Sequence, residues 1–153
     1  LYNCPRTIGK RVVITWNRGR IMGKTFMDCL HFWTTVAPYC MYPSQTIGWR
    51  LVPAFVYNRY WTWYAEDGGL RGFATWGWMT DREFETREYD GWEVFSREKG
   101  EKLVIIDMIA PKGRFDVVSI SKDVRKFCKR DFPEVKTVWA HRGDRDGWFP
   151  NKG

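Results

Sequence analysis

Asp107 is the residue whose type and position in this sequence most directly suggest chemistry. It lies within the apolar stretch Leu103–Pro111, which has the composition of a strand buried on both faces. An ionised carboxylate inside such a strand costs several kcal/mol unless another group pairs with it. Two interpretations follow from the residues alone: an active-site acid held by a sheet, or a carboxylate at the strand end that accepts hydrogen bonds from the following turn.

Other side chains are weaker candidates for chemistry. The histidines are His31, within a predicted helix, and His141, at the end of a predicted strand, where an active-site edge is one interpretation. Cys40 has a nucleophilic thiol, although no neighbour in the sequence favours its thiolate. The four cysteines (Cys4, Cys29, Cys40 and Cys128) form no C-x-x-C pair and no zinc-ligand spacing with histidine, so we predict no metal site.

The segment Asn17–Thr25 has only part of a phosphate-binding loop. That loop requires Gly, four residues and then Gly-Lys-Ser/Thr, so that its amides surround a phosphate. Here only three residues separate Gly19 from Gly23, and Arg18 occupies the position where the first glycine is required. The spacing therefore argues against nucleotide hydrolysis.

Composition narrows the class of protein. With 153 residues the chain is expected to form one domain, and its aromatic fraction of 18% leaves rings available for grooves as well as for a core. The net charge of +7 favours an acidic partner, such as nucleic acid, an anionic carrier protein, a membrane surface or a phosphate-bearing cofactor. The sequence has no apolar run of membrane-spanning length, no signal-peptide pattern and scattered cysteines, which together predict a cytoplasmic protein.

Hydrophobic periodicity and turn residues predict mixed secondary structure. The predicted helices are Lys24–Ala37, Gln45–Val56 (with Pro53 expected to bend or fray it) and Phe115–Phe127. The predicted strands are Arg11–Trp16, Arg59–Glu66, Leu70–Met79, Leu103–Ala110 and Val135–His141, with a hairpin turn at Asp67–Gly69. Residues 80–100 are predicted as a charged, partly helical excursion, and Arg142–Gly153 as a loop. These elements predict an α+β fold, in which helices flank a mixed, mostly antiparallel sheet.

Three stretches resemble the toxin-activating lysine acyltransferases, which modify repeats-in-toxin cytolysins. Phe32–Pro43 and Leu51–Phe55 resemble that family's Trp, polar turn, Trp-Pro and "LPAI" helix. Tyr60–Trp76 is similar to its strand, Asp-containing turn and "CSW" strand. Ile105–Pro111, with Val124–Phe127 and Phe132-Pro133, resembles its "IDWIAP" and "MRK-FP" signatures. The resemblance starts near residue 29, so residues 1–25 are expected to be a basic extension of a single domain formed by residues 1–153.

The resemblance implies a GNAT-like fold with a splayed cleft for the acyl donor. It implies transfer of a fatty acyl group from acyl carrier protein to a protein lysine, by a catalytic Asp and a catalytic His. The Asp falls on Asp107, but Tyr39 occupies the position of the His. A phenol with an ordinary pKa of about 10 is a poor base at neutral pH. Tyr39 is therefore expected to donate a proton to the leaving sulfur, while Asp107 orients or deprotonates the amine.

The substrates would contact two further sets of residues. We expect the acyl group to meet Trp33, Trp76, Trp78 and Met108, and an acidic carrier protein to meet Lys122, Arg125, Lys126 and Lys129. No bound cofactor is expected, because acyl carrier protein or coenzyme A would bring the acyl group as a co-substrate. The carrier protein is favoured, since the sequence has no phosphate-binding glycine loop of the coenzyme A type.

Two other functions stay open at this point. One is a catalytically inactive GNAT-like protein with a structural or binding role, for instance in a phage virion or as an inhibitor of a host factor. The other is a transferase that modifies nucleic acid, which the positive charge and the aromatic residues suggest. An Asp107 side chain facing a cleft would favour catalysis. One closed off by arginine or backbone amides, with the cleft filled by tryptophan side chains, would favour the binding role.

Overall fold

A computed structural model describes residues 6–8, 11–14, 20–111, 114–142 and 145–150, with side-chain surroundings over residues 23–111 and 118–141. Within these ranges the fold is α+β, as the sequence predicts, with helices beside a seven-stranded sheet whose strands lie in chain order. All neighbouring strands are antiparallel except β5 and β6, which are parallel. The strands are β1 (Arg6–Ile8), β2 (Arg11–Ile14), β3 (Tyr60–Ala65), β4 (Leu70–Met79), β5 (Lys102–Ile109), β6 (Thr137–Arg142) and β7 (Arg145–Pro150).

The predicted hairpin joins β3 to β4. Gly68 at its turn has a φ of +85°, a conformation that residues with a Cβ rarely adopt, and Asp67 Oδ1 accepts a hydrogen bond of 2.8 Å from the amide of Gly69. From Gly72 to Met79 every residue of β4 is buried, because helices cover both faces of the sheet around this strand. β4 is therefore a central strand and holds its side chains rigidly.

The first two predicted helices are confirmed with shifted bounds. α1 runs from Arg20 to Thr35, and a short 3₁₀ turn, Tyr39–Met41, follows it. The second helix begins with a π-helical turn, Ile47–Leu51, and continues as α2 (Val52–Val56). Pro53 lies in the first turn of α2, so the wide π turn falls just before the residue that lacks an N–H.

The charged excursion contains two short helices, α3 (Asp81–Thr86) and α4 (Gly91–Ser96). Thr80 caps α3 in a reciprocal arrangement, since its hydroxyl accepts from the amide of Glu83 while the Glu83 carboxylate accepts from the amide of Thr80. Asp90 caps α4 by accepting a hydrogen bond of 2.9 Å from the amide of Trp92. These caps stabilise helices that are too short to form on their own.

The two faces of the sheet have separate cores. α5 (Arg114–Asp131) covers one face, called here the α5 face, where Val124 and Phe127 pack against β3, β4 and β5. α1, α2, α3 and α4 cover the opposite face, called here the α1 face. Because successive residues of a strand point to opposite faces, each functional side chain on a strand lies either on the α5 face or on the α1 face.

Two short strands were not predicted. The expectation that residues 142–153 form a loop is wrong for Arg145–Pro150, which pairs with β6 as β7. Within residues 1–20 a second strand, β1, pairs with β2. Both strands lie at the edges of the sheet. Each forms because a neighbouring strand offers it backbone hydrogen-bonding groups, and this partner cannot be seen in the local composition. The last two residues of the predicted strand Arg11–Trp16, and Asn17–Gly19 of the glycine-containing segment, lie outside the described residues.

Candidate active site

A β-bulge in β5 decides which way Asp107 points. Thr75 of β4 pairs with Asp107, but the next residue, Trp76, pairs with Ile105, so Ile106 is an extra residue without a partner on β4. Strict alternation would direct Asp107 to the α5 face, because Ile105 packs there. The bulge reverses this order, and Asp107 instead meets groups of the α1 face.

Arg50 closes off the carboxylate of Asp107. Its Nη2 donates to Asp107 Oδ1 at 2.5 Å and its Nε donates to Oδ2 at 3.2 Å, which is a two-point ion pair. The Thr75 hydroxyl donates to Oδ2 at 3.0 Å and accepts from the Asp107 amide at 3.1 Å. The Asp107 side chain has no exposed area, and its partners come from a helix and a neighbouring strand rather than from the following turn.

The outward-facing charge of this site belongs to Arg50. Its side chain, from the π-helical turn, is 18% exposed and lies against the rings of Trp33 and Tyr42, 5.8 and 5.7 Å from their centroids. Besides its bonds to Asp107, Nη2 donates to the Ile106 carbonyl at 3.3 Å. Nη1 donates to no oxygen of the described residues. The guanidinium is thus fixed through Nε and Nη2, and the two N–H groups of Nη1 make no hydrogen bond to the described residues.

The electrostatics of the pair keep Arg50 charged. Burial alone disfavours the guanidinium cation, but the adjacent Asp107 carboxylate outweighs burial and raises the pKa of Arg50 above its usual value. A planar, permanently charged donor held in one orientation can stabilise negative charge that develops in a reaction.

Tyr39 lies beside this pair. Its ring packs against Trp33 (centroids 4.9 Å apart) and Tyr42 (5.5 Å), and its hydroxyl oxygen accepts a long hydrogen bond of 3.4 Å from the amide of Met108. Burial, followed by the negative charge of Asp107, raises the pKa of Tyr39 well above its usual value. The hydroxyl therefore keeps its proton at neutral pH and can donate it in a hydrogen bond, but it does not act as a base.

A comparison with models of protein families identifies the family of this chain. A model of the RTX toxin acyltransferase family matches residues 15–148, which is most of the chain. The chain belongs to this family. A search of curated proteins gives no match.

Membership in the RTX toxin acyltransferase family confirms the resemblance noted in the sequence. It implies acyltransferase activity in toxin activation and a protein substrate as partner. No helix in the described part of the chain has the length and apolar character of a membrane span.

The four residues predicted to bind the acyl group lie on two faces of the sheet. Trp33 packs beside Tyr39 on the α1 face. Trp76, Trp78 and Met108 pack on the α5 face, where Met108 Sδ accepts from the Ser121 hydroxyl at 3.5 Å. Of the side chains in this set, the fold therefore brings only that of Trp33 together with Asp107 and Tyr39, while Met108 contacts Tyr39 through its backbone amide.

The pairing of β5 with β6 ends just before Asp107. β5 pairs with β6 only from Leu103 to Ile105, and its residues Ile106–Ile109 have no partner on β6 within the described ranges. The ladder of the two parallel strands thus stops next to the bulge of β5.

The predicted carrier-binding residues form an exposed basic face. Lys122, Arg125, Lys126 and Lys129 are all exposed on α5, while the opposite side of that helix packs on the sheet. Lys126 lies 4.0 Å from Asp123, a separation at which an exposed ion pair contributes little.

None of the remaining candidates is among the hydrogen-bond partners of the Arg50–Asp107 pair within the described residues. The His141 ring stacks on Phe84 (4.2 Å between centroids) and its Nε2 lies 2.8 Å from the Phe84 carbonyl oxygen, so it packs against α3. His31 and Cys40 are exposed. Trp78 lines a cavity of about 420 Å³ at the first residues of β5 and β6, towards the end of β5 opposite to Asp107.

Sequence analysis missed Arg50 and Thr75. Arg50 is 57 residues from Asp107 in the chain, and nothing in its local pattern separates it from the other basic residues. A carboxylate predicted to be buried requires a cationic or hydrogen-bonding partner, and Arg50 is the arginine of the predicted helix Gln45–Val56 within the region of resemblance.

Proposed function

We propose that this chain transfers a fatty acyl group from a thioester carrier to a lysine side chain of a protein substrate, with Arg50 facing the reacting carbonyl. The observation that carries the proposal is the fixed Arg50–Asp107 pair, which leaves Nη1 of Arg50 available within a family of acyltransferases. In this scheme Asp107 is a positioning residue, because its carboxylate is buried and occupied and does not reach a substrate amine.

The chemistry is the exchange of one acyl bond for another. The neutral lysine amine attacks the thioester carbonyl carbon, a C–N bond forms, and the carbonyl oxygen becomes an oxyanion that Arg50 Nη1 stabilises. The C–S bond then breaks. The nitrogen loses a proton to water, and the thiolate leaves with a hydrogen bond from the Tyr39 hydroxyl and takes a proton from solvent.

No group in this scheme acts as a base at neutral pH, and this affects how the rate of transfer depends on pH. A lysine amine has an ordinary pKa of about 10.4, so only a small fraction is neutral at pH 7. The rate of transfer should therefore rise with pH towards about pH 10, in proportion to the free amine, instead of levelling off near pH 7 as a histidine base would produce.

Two features support an acyl carrier protein as the donor. The exposed basic face of α5 complements an acidic carrier, and association would weaken with salt. The second feature is the sequence itself, which has no phosphate-binding glycine loop of the coenzyme A type. Coenzyme A would bring the same thioester without the protein contact.

Intact-protein mass spectrometry tests the proposal. The purified chain is mixed with myristoyl or palmitoyl acyl carrier protein, or with the matching coenzyme A thioesters, and with N-acetyl-lysine amide as acceptor. We expect loss of acyl mass from the donor and gain on the acceptor. Arg50→Lys should slow transfer roughly a hundredfold or more, because the charge stays but the two-point geometry is lost. Arg82→Met, at an exposed arginine of α3, serves as the matched control.

A second candidate is a family member that binds its partners without catalysis. The closure of Asp107 by Arg50 and the presence of tyrosine at the position of the family histidine favour it. No donor consumption by a folded sample with any thioester would support this candidate and refute the first.

A further inference from the structure

Three large apolar side chains are exposed together at the junction of α2 and α4. Val56, Tyr57 and Trp92 are 54%, 40% and 41% exposed, and the rings of Tyr57 and Trp92 meet edge to face with centroids 6.2 Å apart. We call these three residues the aromatic ledge. Contiguous exposed apolar groups of this kind are typical of a surface that contacts another molecule.

The ledge lies in the acidic part of a basic chain. Residues 80–100 contain seven acidic residues (Asp81, Glu83, Glu85, Glu88, Asp90, Glu93 and Glu98) and four basic ones (Arg82, Arg87, Arg97 and Lys99), whereas the whole chain has a net charge of +7. Asp90 and Glu93 flank Trp92 in the sequence, and the Asp90 carboxylate hydrogen-bonds the Trp92 amide.

Some of the charged residues of this region form ion pairs, whereas others contact no opposite charge within the described residues. Arg97 is occupied by ion pairs with Glu83 and Glu93. The carboxylate of Glu88, in the loop before α4, contacts no base within the described residues. Asp90, which caps α4 at Trp92, and Glu88, two residues before Asp90 in the chain, therefore bring negative charge to the start of α4 that an incoming cation can neutralise.

The ledge is connected to the candidate active site by rigid contacts. Arg50 and Val56 belong to the same helical segment, so they are separated by roughly 9 Å along its axis. Tyr89 packs on Trp49 with ring centroids 5.6 Å apart. Gly91 lies so close to Trp49 that an added Cβ would be 1.7 Å from the Trp49 carbonyl oxygen, which fixes α4 against this segment.

We propose that the aromatic ledge and its acidic border dock the protein acceptor, in the form of a segment that combines lysine with apolar side chains. Apolar residues of the segment cover Tyr57 and Trp92, and its lysines meet Glu88 and Asp90. The axial separation of roughly 9 Å between Val56 and Arg50 corresponds to about three extended residues. The inference rests on the proposed function, since it assigns the surface to the acceptor of that reaction.

Binding of defined peptides tests the docking surface apart from catalysis. The probe is a fluorescein-labelled peptide in which lysine alternates with leucine and glycine, and the comparison peptide has glutamate in place of lysine. Fluorescence anisotropy at low salt measures the dissociation constants. We expect the lysine peptide to bind more tightly than the glutamate peptide, although the chain as a whole is positively charged.

Two variants locate the binding to the ledge. Trp92→Ala should weaken binding of the lysine peptide by roughly tenfold or more, as loss of a buried aromatic anchor does. Glu88→Lys keeps the ledge and should weaken binding several-fold, with a difference that shrinks as salt is added. The controls are Val118→Ala, at an exposed apolar residue of α5, and Glu66→Lys, at an exposed acid of the β3–β4 turn.

The outcomes separate the two proposals. Equal binding of the lysine peptide by the unaltered chain, Trp92→Ala and Glu88→Lys would overturn the docking surface. Self-association of the unaltered chain, abolished by Trp92→Ala and without peptide binding, would overturn it too and assign the ledge to a second copy. Ledge-dependent peptide binding without any thioester turnover would instead refute acyl transfer and leave the docking surface in place.

Discussion

Replacement of Arg50 by methionine should destabilise the fold far more than an ordinary surface substitution. Arg50 supplies two of the three side-chain hydrogen bonds to a carboxylate that has no exposed area. Removing one partner of a buried ion pair costs about 3–5 kcal/mol, because the remaining charge stays in the interior. In a domain of this size each kcal/mol shifts the Tm by roughly 2–4 °C, so we expect the Tm to fall by roughly 10 °C.

The double variant Arg50→Met/Asp107→Asn distinguishes two contributions to the loss of stability, the unpaired buried charge of Asp107 and the lost packing of Arg50. With both groups neutral, no charge is buried, and most of the lost stability should return. Asp107→Asn alone should cost less than Arg50→Met, because the Arg50 side chain is partly exposed and reaches water. The expected coupling free energy between the two positions is about 2 kcal/mol or more.

Urea unfolding followed by circular dichroism at pH 7.5 measures these differences. Arg82→Met is the control for loss of an exposed arginine. An Arg50→Met variant as stable as this control would refute the conclusion that Arg50 holds Asp107 in the interior.

Three further predictions test neighbouring features. Tyr39→Phe should lower kcat for acyl transfer by roughly ten- to a hundredfold, because the leaving sulfur loses a hydrogen-bond donor. Unchanged turnover would exclude that role. Since the pKa of Tyr39 is raised, ionisation of its hydroxyl should cause no loss of rate in the unaltered chain up to pH 9. Burial opposes ionisation of Glu83, but hydrogen bonds from Arg97 and Thr80 lower the pKa of its carboxyl overall. The ionised carboxylate therefore stabilises the folded state fully above about pH 4.3, and this stabilisation is lost as the pH falls through the lowered pKa. Glu83→Gln, which keeps the helix cap, should cost about 1 kcal/mol in urea unfolding at pH 7 and nothing at low pH; a difference that persisted there would contradict the ion-pair explanation. Gly91→Ala should destabilise by about 3 kcal/mol or more, because its Cβ would overlap the Trp49 carbonyl, whereas Gly48→Ala meets nothing within 4 Å and should keep the Tm of the unaltered chain.

Local sequence patterns determined most of the architecture. The β3–β4 hairpin, the buried strand around Asp107, α1 and α5 follow from periodicity, chain-reversing glycines and the alternation of apolar residues, all of which act between near neighbours. The short motifs that resemble the acyltransferase family are also patterns of near neighbours, and the match over residues 15–148 confirms the family. The exposure of the basic residues of α5 follows from the same helical periodicity.

Only the tertiary structure decided what Asp107 does. A bulge at Ile106 has no signature in the sequence, yet it reverses the alternation of β5 and turns Asp107 from the α5 face to the α1 face. Arg50 reaches Asp107 from 57 residues away, and Thr75 reaches it from the neighbouring strand. β7 likewise forms because β6 offers it hydrogen-bonding groups. Periodicity records which residues prefer the interior, whereas the partner of a buried charge depends on which distant segments the packed sheet brings together.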